Sequence, residues 1–155
     1  MKRVRIGIVG AGFAARYHVA CLRRVYGAQV EIAGVTSARA ESREAFGRAH
    51  GLPVFADATA MLGHVDLLDI CSPPYAHEAA ILAAAAAGKG IICEKPLTGY
   101  FGPAGADESY RGDRDSKRTM LEETMARLGR IAAAVRQAGT FFGYAENFVY
   151  APSVQ

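Results

Sequence analysis

Tryptophan is absent from the chain, and cysteine occurs only as Cys21, Cys71 and Cys93. Three widely spaced thiols offer neither zinc-ligand nor redox-pair spacing, and they build no disulfide framework. They are expected to be small buried thiols in a reducing cytoplasm. Long apolar runs are also missing. The longest, Ala79–Ala87, is mostly alanine and falls far short of the roughly 20 residues that span a bilayer. The opening MKRVRIGIV carries positive charge and then a short apolar run. No small-residue cleavage site follows, so a buried strand explains it better than a leader. No charge sign dominates. Lys and Arg total 18 against 15 Asp and Glu, a net charge of +3, and the cations are spread out. That pattern argues against a nucleic-acid-binding surface, and nothing calls for a membrane.

What is present suits a single globular domain. The chain has 155 residues, of which 51% are hydrophobic and 21% charged. That is long enough to bury a core without staples. Strand-like runs alternate with helical ones. Val4–Val9, Val30–Thr36, Leu52–Phe55, Asp66–Cys71, Gly90–Cys93 and Thr140–Tyr144 read as six strands. Phe13–Arg24, Ala40–Ala49, Ala58–Leu62 and Tyr75–Ala87 read as helical. Gly51, Gly88 and Gly139 stand where helices stop. A last helix is expected near Thr119, with Thr119 and Glu122 as its capping box. Alternation of this kind predicts an α/β fold, a doubly wound and mostly parallel sheet with helices on both faces. No internal repeat is evident. The segment 98–118 breaks the texture with Gly99, Gly102, Gly105, Gly112 and a charged run, and it reads as a solvated insertion.

The sharpest local signal is Gly10-Ala11-Gly12-Phe13-Ala14-Ala15, between the first strand and the first helix. Gly10 permits a tight turn, Gly12 lets a pyrophosphate approach the backbone, and Ala15 lets helix and strand pack closely. The helix N-terminus then offers free N–H groups to the phosphates. A bare packing turn, or a methyltransferase-type glycine loop, uses similar residues. The position near the N-terminus, after a strand and before a βαβ unit, favours dinucleotide binding. An NAD site wants a carboxylate at the end of strand two. Here the sequence is Val35-Thr36-Ser37-Ala38-Arg39, without an acid. Ser37 and Arg39, with Arg43 nearby, suit a 2′-phosphate, a mild lean to NADP over NAD.

Three motifs in order, Gly10-x-Gly12-x-x-Ala15-x-x-His18, Cys71-Ser72-Pro73-Pro74-x-x-His77 and Gly88 to Cys93 followed by Glu94-Lys95-Pro96-Leu97, resemble the Gfo/Idh/MocA oxidoreductase family. The Glu-Lys-Pro step is the most specific of them. The resemblance implies a Rossmann-like domain over 1–145, with 98–118 as an insertion and 146–155 as the crossover to a second, substrate-binding domain expected beyond Gln155. It implies that Gly10, Gly12 and Ala15 hold the pyrophosphate, with Phe13 and Ala14 counted among the cofactor-binding residues, and that Ser72, Pro73 and Pro74 line the dinucleotide. Glu94 and Lys95 are implied near the nicotinamide, with Lys95 catalytic and Pro96 often following a cis bond. His77 is counted with the cofactor-lining residues, although histidines such as His18 and His77 more often pack or cap a helix. The implied partner is a carbohydrate-like small molecule, such as a sugar, cyclitol or related polyol. A homo-oligomer is expected only of the longer parent. A non-catalytic, dinucleotide-sensing regulator of the same fold is the alternative.

Overall fold

The computed structural model describes residues 2–103, 105–106 and 109–146. Five strands form one sheet: β1 (Arg3–Val9), β2 (Gln29–Thr36), β3 (Leu67–Ile70), β4 (Gly90–Glu94) and β5 (Phe142–Ala145). Their order is β2-β1-β3-β4-β5, and every neighbouring pair is parallel. The helices are α1 (Phe13–Leu22), α2 (Ala40–His50), the short α3 (Ala58–Met61), α4 (His77–Ala86) and α5 (Lys117–Ala138). Among the described residues no helix is long and apolar enough to cross a membrane.

Parallel strands need covering on both faces, and two apolar layers supply it. Ile6 and Ile8 of β1 pack with Ala15 and Val19 of α1 and Phe46 of α2. Leu68, Ile70, Ile91 and Cys93 pack with Met61, Ile81, Ala84 and Ile131 of α3, α4 and α5. Each fully buried Leu or Ile in these layers contributes about 1.5–3 kcal/mol. The period of two along a strand then assigns the remaining side chains. With Leu68, Ile70, Ile91 and Cys93 facing α4 and α5, Asp69, Cys71 and Glu94 fall on the α1 side.

Three sequence expectations need correction. Leu52–Phe55 is not a strand of the sheet. Only Val54 bridges to Val35, through Val35 N–H to Pro53 O and Phe55 N–H to Val35 O, both 2.9 Å. Pro53 has no N–H to extend a ladder. The last helix begins at Lys117 with Ser116 as its N-cap, so Thr119 and Glu122 form no capping box. Glu122 instead pairs with Arg118 one turn earlier, at 2.8 Å. Cys21 is exposed, while Cys71 and Cys93 are buried.

The helix stops at Gly51 and Gly139 are left-handed, with φ of 65° and 61°. Glu78 of α4 accepts from Arg127 and Arg130 of α5 at 2.9 and 2.6 Å. Arg127 also lies over the Phe101 ring, 5.5 Å from its centroid. Within the insertion Tyr100 and Tyr110 meet edge to face at 6.1 Å. Its aromatics are therefore packed against each other and against α5. Of the expected crossover at 146–155, only Glu146 falls within the described residues.

Candidate functional site

β1 and β3 are neighbours in the sheet but are separated in sequence by β2, α1, α2 and α3. The order of strand addition reverses there, with β2 on one side of β1 and β3 on the other, and a crevice opens at the C-terminal ends. The Gly10 turn forms one wall. Gly10 has φ of 122°, its N–H donates to Thr36 O at 2.7 Å, and it packs against the Cys71–Ser72 main chain. Around Gly12 the space is open: a β-carbon there would meet nothing within 4 Å. Gly12 is also the N-cap of α1, with no side-chain cap and no acid in the first turn. The first N–H groups of the helix are thus left for a ligand, and an anion suits them best. Ala15 is fully buried under this turn, whereas Phe13 is exposed and Ala14 half-buried.

The crevice measures about 690 Å³ and is lined by Ala11, Gly12, Ser37, Arg39, Ser72 and Tyr75, among others. Pro73 lines it too, and Ser42 contributes a further hydroxyl. The Ser72 and Thr36 hydroxyl oxygens are buried and carry no hydrogen bond. Buried polar atoms without partners cost free energy unless something reaches them, and Ser72 is on the crevice lining. At the end of β2, Arg43 donates to the Ser37 carbonyl at 3.1 Å, while Arg39 is exposed on the crevice lining. These features fit a dinucleotide: an open glycine, free helix amides, and hydroxyl and guanidinium groups for a ribose.

His77 does not face the crevice. It is fully buried, with Nε2 2.7 Å from Ser72 O and Nδ1 3.1 Å from Pro96 O. It therefore holds the Ser72 loop from beneath and is not on the crevice lining. Pro74 starts the short turn that leads into α4. Tyr75 is 63% exposed and meets Phe101 edge to face at 6.4 Å.

The end of β4 lies beyond β3 in the sheet. Glu94 is half-buried and Lys95 exposed, and the Lys95–Pro96 peptide is cis. The Lys95 N–H donates to Glu94 Oε2 at 2.9 Å. The other Glu94 oxygen lies 3.1 Å from His18 Nε2, and His18 Nδ1 lies 2.9 Å from both oxygens of Asp69. Sequence reading missed this group by treating His18 as a packing residue. The signal was present: Asp69 is an acid inside a buried strand, and such an acid needs a partner. The Asp69 hydrogen bond raises the His18 pKa above its usual value; burial opposes this, and the Asp69 charge and Glu94 add to the rise. Burial first, and then the same carboxylates, push the Cys71 thiol well up and Cys93 to about 12. Both thiols are therefore poor nucleophiles.

Relatives share this frame. The family model described as "Oxidoreductase family, NAD-binding Rossmann fold" matches residues 4–120. An inositol 2-dehydrogenase of Cereibacter sphaeroides is 38% identical over 96 residues, covering 61% of this chain and 28% of that enzyme. A D-apiose dehydrogenase of Paraburkholderia graminis is 29% identical over 158 residues, covering 100% of this chain and 35% of the relative. The chain thus spans about a third of the length of these enzymes. Among solved structures, an NAD-binding protein from Listeria innocua superposes with a TM-score of 0.72 at 26% identity, over 95% of this chain and 36% of that one. An NAD-binding oxidoreductase from Klebsiella pneumoniae gives 0.75 at 24%, over 98% and 36%. With its parallel sheet and glycine turn on the same pattern, the chain belongs to the Gfo/Idh/MocA oxidoreductase family, as its NAD-binding Rossmann fold.

Proposed function

We propose that this chain is the dinucleotide-binding domain of an oxidoreductase that exchanges a hydride between NAD(P) and a secondary alcohol or carbonyl. The observation that carries the reading is the crevice at the glycine turn, bordered by Gly12 at the N-terminus of α1. The end of β4 is tied to the same helix, because His18 of α1 reaches Glu94 at 3.1 Å and Glu94 holds the Lys95 N–H. The nicotinamide supplies the hydride chemistry. The chain's own residues bind and orient: Gly12 and the α1 N–H groups take the diphosphate, with Phe13 and Ala14 in the first turn beside it. Ser72, Pro73 and Pro74 flank the dinucleotide, and His77 holds their loop. The Lys95 ammonium stabilises negative charge growing on the substrate oxygen. In the oxidative direction the same side chain, as the neutral amine, takes the hydroxyl proton while the hydride passes to the nicotinamide.

The substrate class follows from the relatives, which are named for inositol and D-apiose. A sugar, cyclitol or related polyol is the corresponding substrate here. These dehydrogenases also favour catalysis over a purely sensing role, which needs the crevice but not Lys95. Within the cofactor class we favour NADP: Ser37, Arg39 and Ser42 line the ribose end of the crevice, and no carboxylate closes β2. Unpaired cysteines suit a reducing cytoplasm.

The test is nucleotide binding by the 155-residue chain, read by NADPH and NADH fluorescence and by thermal shift. Saturable binding is expected, tighter for NADPH, followed by polyol-dependent reduction of NADP in the longer parent and its loss in Lys95→Ala. No thermal shift at large excess of either nucleotide would overturn the reading.

A further inference from the structure

Asp69, His18, Glu94 and the Lys95 main chain form one unbroken hydrogen-bonded series. It begins on the central strand β3, passes through the helix whose N-terminus faces the phosphates, and ends at the lysine turn. Three separate elements are tied together by a single imidazole. We propose that His18 is a positioning residue: held between Asp69 and Glu94, it fixes the Glu94 carboxylate and, through it, the main chain at Lys95. The proposal rests on the functional reading of Lys95 above, but the series itself is independent of it.

The two carboxylates are not equivalent. The Asp69 side chain is 1% exposed and that of Glu94 20%. A ring with a carboxylate at each nitrogen donates to both only as the imidazolium. When the ring loses a proton, one carboxylate loses its donor. Leaving buried Asp69 unpaired costs far more than leaving Glu94, which water reaches. The remaining N–H therefore stays with Asp69, and Glu94 is released. The Lys95 turn then keeps only its own N–H contact to Glu94.

The ionisable groups around the ring are few. Asp69 comes from β3 and Glu94 from β4. On α1 itself Arg16 and Tyr17 are exposed. On β2, Glu31 is paired with Arg3 at the opposite end of the sheet. Cys71, 3.7 Å from Asp69, and Cys93 are held as thiols. Titration of the series is accordingly the titration of His18. His18, Asp69 and Cys71 lie close enough to share a metal ion, but hydrogen bonds already satisfy the ring and the carboxylate.

The experiment is a pH titration of the 155-residue chain by NMR without nucleotide, following the His18 ring carbons and the Lys95 amide. The Lys95 amide shift is expected to move with the same midpoint as His18. Asp69→Asn should lower that midpoint by roughly tenfold or more in proton affinity, and Glu94→Gln by less. In His18→Gln the corresponding step at Lys95 should disappear. A Lys95 amide that ignores the His18 midpoint overturns the proposal, as does an unchanged step in His18→Gln. If that variant does not fold, coincidence or separation of the two wild-type midpoints decides. A chain that shows the coupled titration but binds neither nucleotide would sink the proposed function and leave the His18 series standing.

Discussion

Gly10 runs so close to Cys71 that a β-carbon on Gly10 would sit 2.6 Å from the Cys71 carbonyl oxygen. The contact welds the first turn to the end of β3, and it separates two glycines that look alike in sequence. Gly10→Ala meets both main-chain overlap and a φ of 122°. It should destabilise the chain by about 1–3 kcal/mol from conformation alone, with the clash added. Gly12→Ala meets nothing in the protein and should stay within about 1 kcal/mol of wild type. It should still weaken nucleotide binding roughly tenfold or more, because its methyl occupies the phosphate approach. Urea unfolding and NADPH fluorescence on both variants check this. Equal effects on stability would refute it.

Arg39 sits exposed at the ribose end of the crevice. A charge-assisted hydrogen bond is worth about 1.5–3 kcal/mol, so Arg39→Ala should weaken NADPH roughly 10- to 100-fold and NADH little. Titrating both nucleotides against the variant measures it. Parallel losses would show that Arg39 does not read the 2′-phosphate.

The raised pKa of His18 makes stability depend on pH in a defined sense. Its folded value lies above the model 6.5, so the folded state binds the proton more tightly than the unfolded chain. The stabilisation is complete below about 6.5 and is lost as pH rises through the folded value. Melting curves of wild type and His18→Gln should therefore diverge most on the acid side of that window and converge above it. Asp66 acts in the opposite direction. Its hydrogen bonds to Arg5 hold its pKa down at about 2, so its contribution is present above the ordinary carboxylate range and fades as pH falls towards 2. Divergence only at alkaline pH would contradict the assignment to His18.

The thiols offer a simple check on burial. Cys21 is exposed while Cys71 and Cys93 are buried and have raised pKa values. A disulfide reagent should modify Cys21 promptly in the folded chain and reach the other two only on unfolding. Counting released chromophore before and after denaturant distinguishes the cases.

Much of this was legible in the sequence because buried parallel strands write themselves plainly. Val4–Val9 and Val30–Thr36 are rich in β-branched residues, and the glycine turn between the first strand and helix fixes where the crevice opens. The chain departed from its reading where a single residue decides. Pro53 turned an apparent strand into a bridge. Ser116 started α5 before the Thr119 pair could cap it. Cys21 lies on the outer face of α1 because Ala15 and Val19 take the inner one. His18 is the instructive case. Helix pattern alone makes it a packing residue, and only the register of β3 against α1 reveals that Asp69 points at it.

The placement of β3 beside β1 has one more consequence. Each wall of the nucleotide crevice is contributed by a segment that, in an unfolded chain, wanders far from the other. A peptide carrying only the glycine turn would own the fingerprint and none of the grip. Ligand capture thus doubles as a reporter of long-range assembly: any lesion that unseats β3, however remote from the ligand, should register as lost affinity before it registers as lost helix.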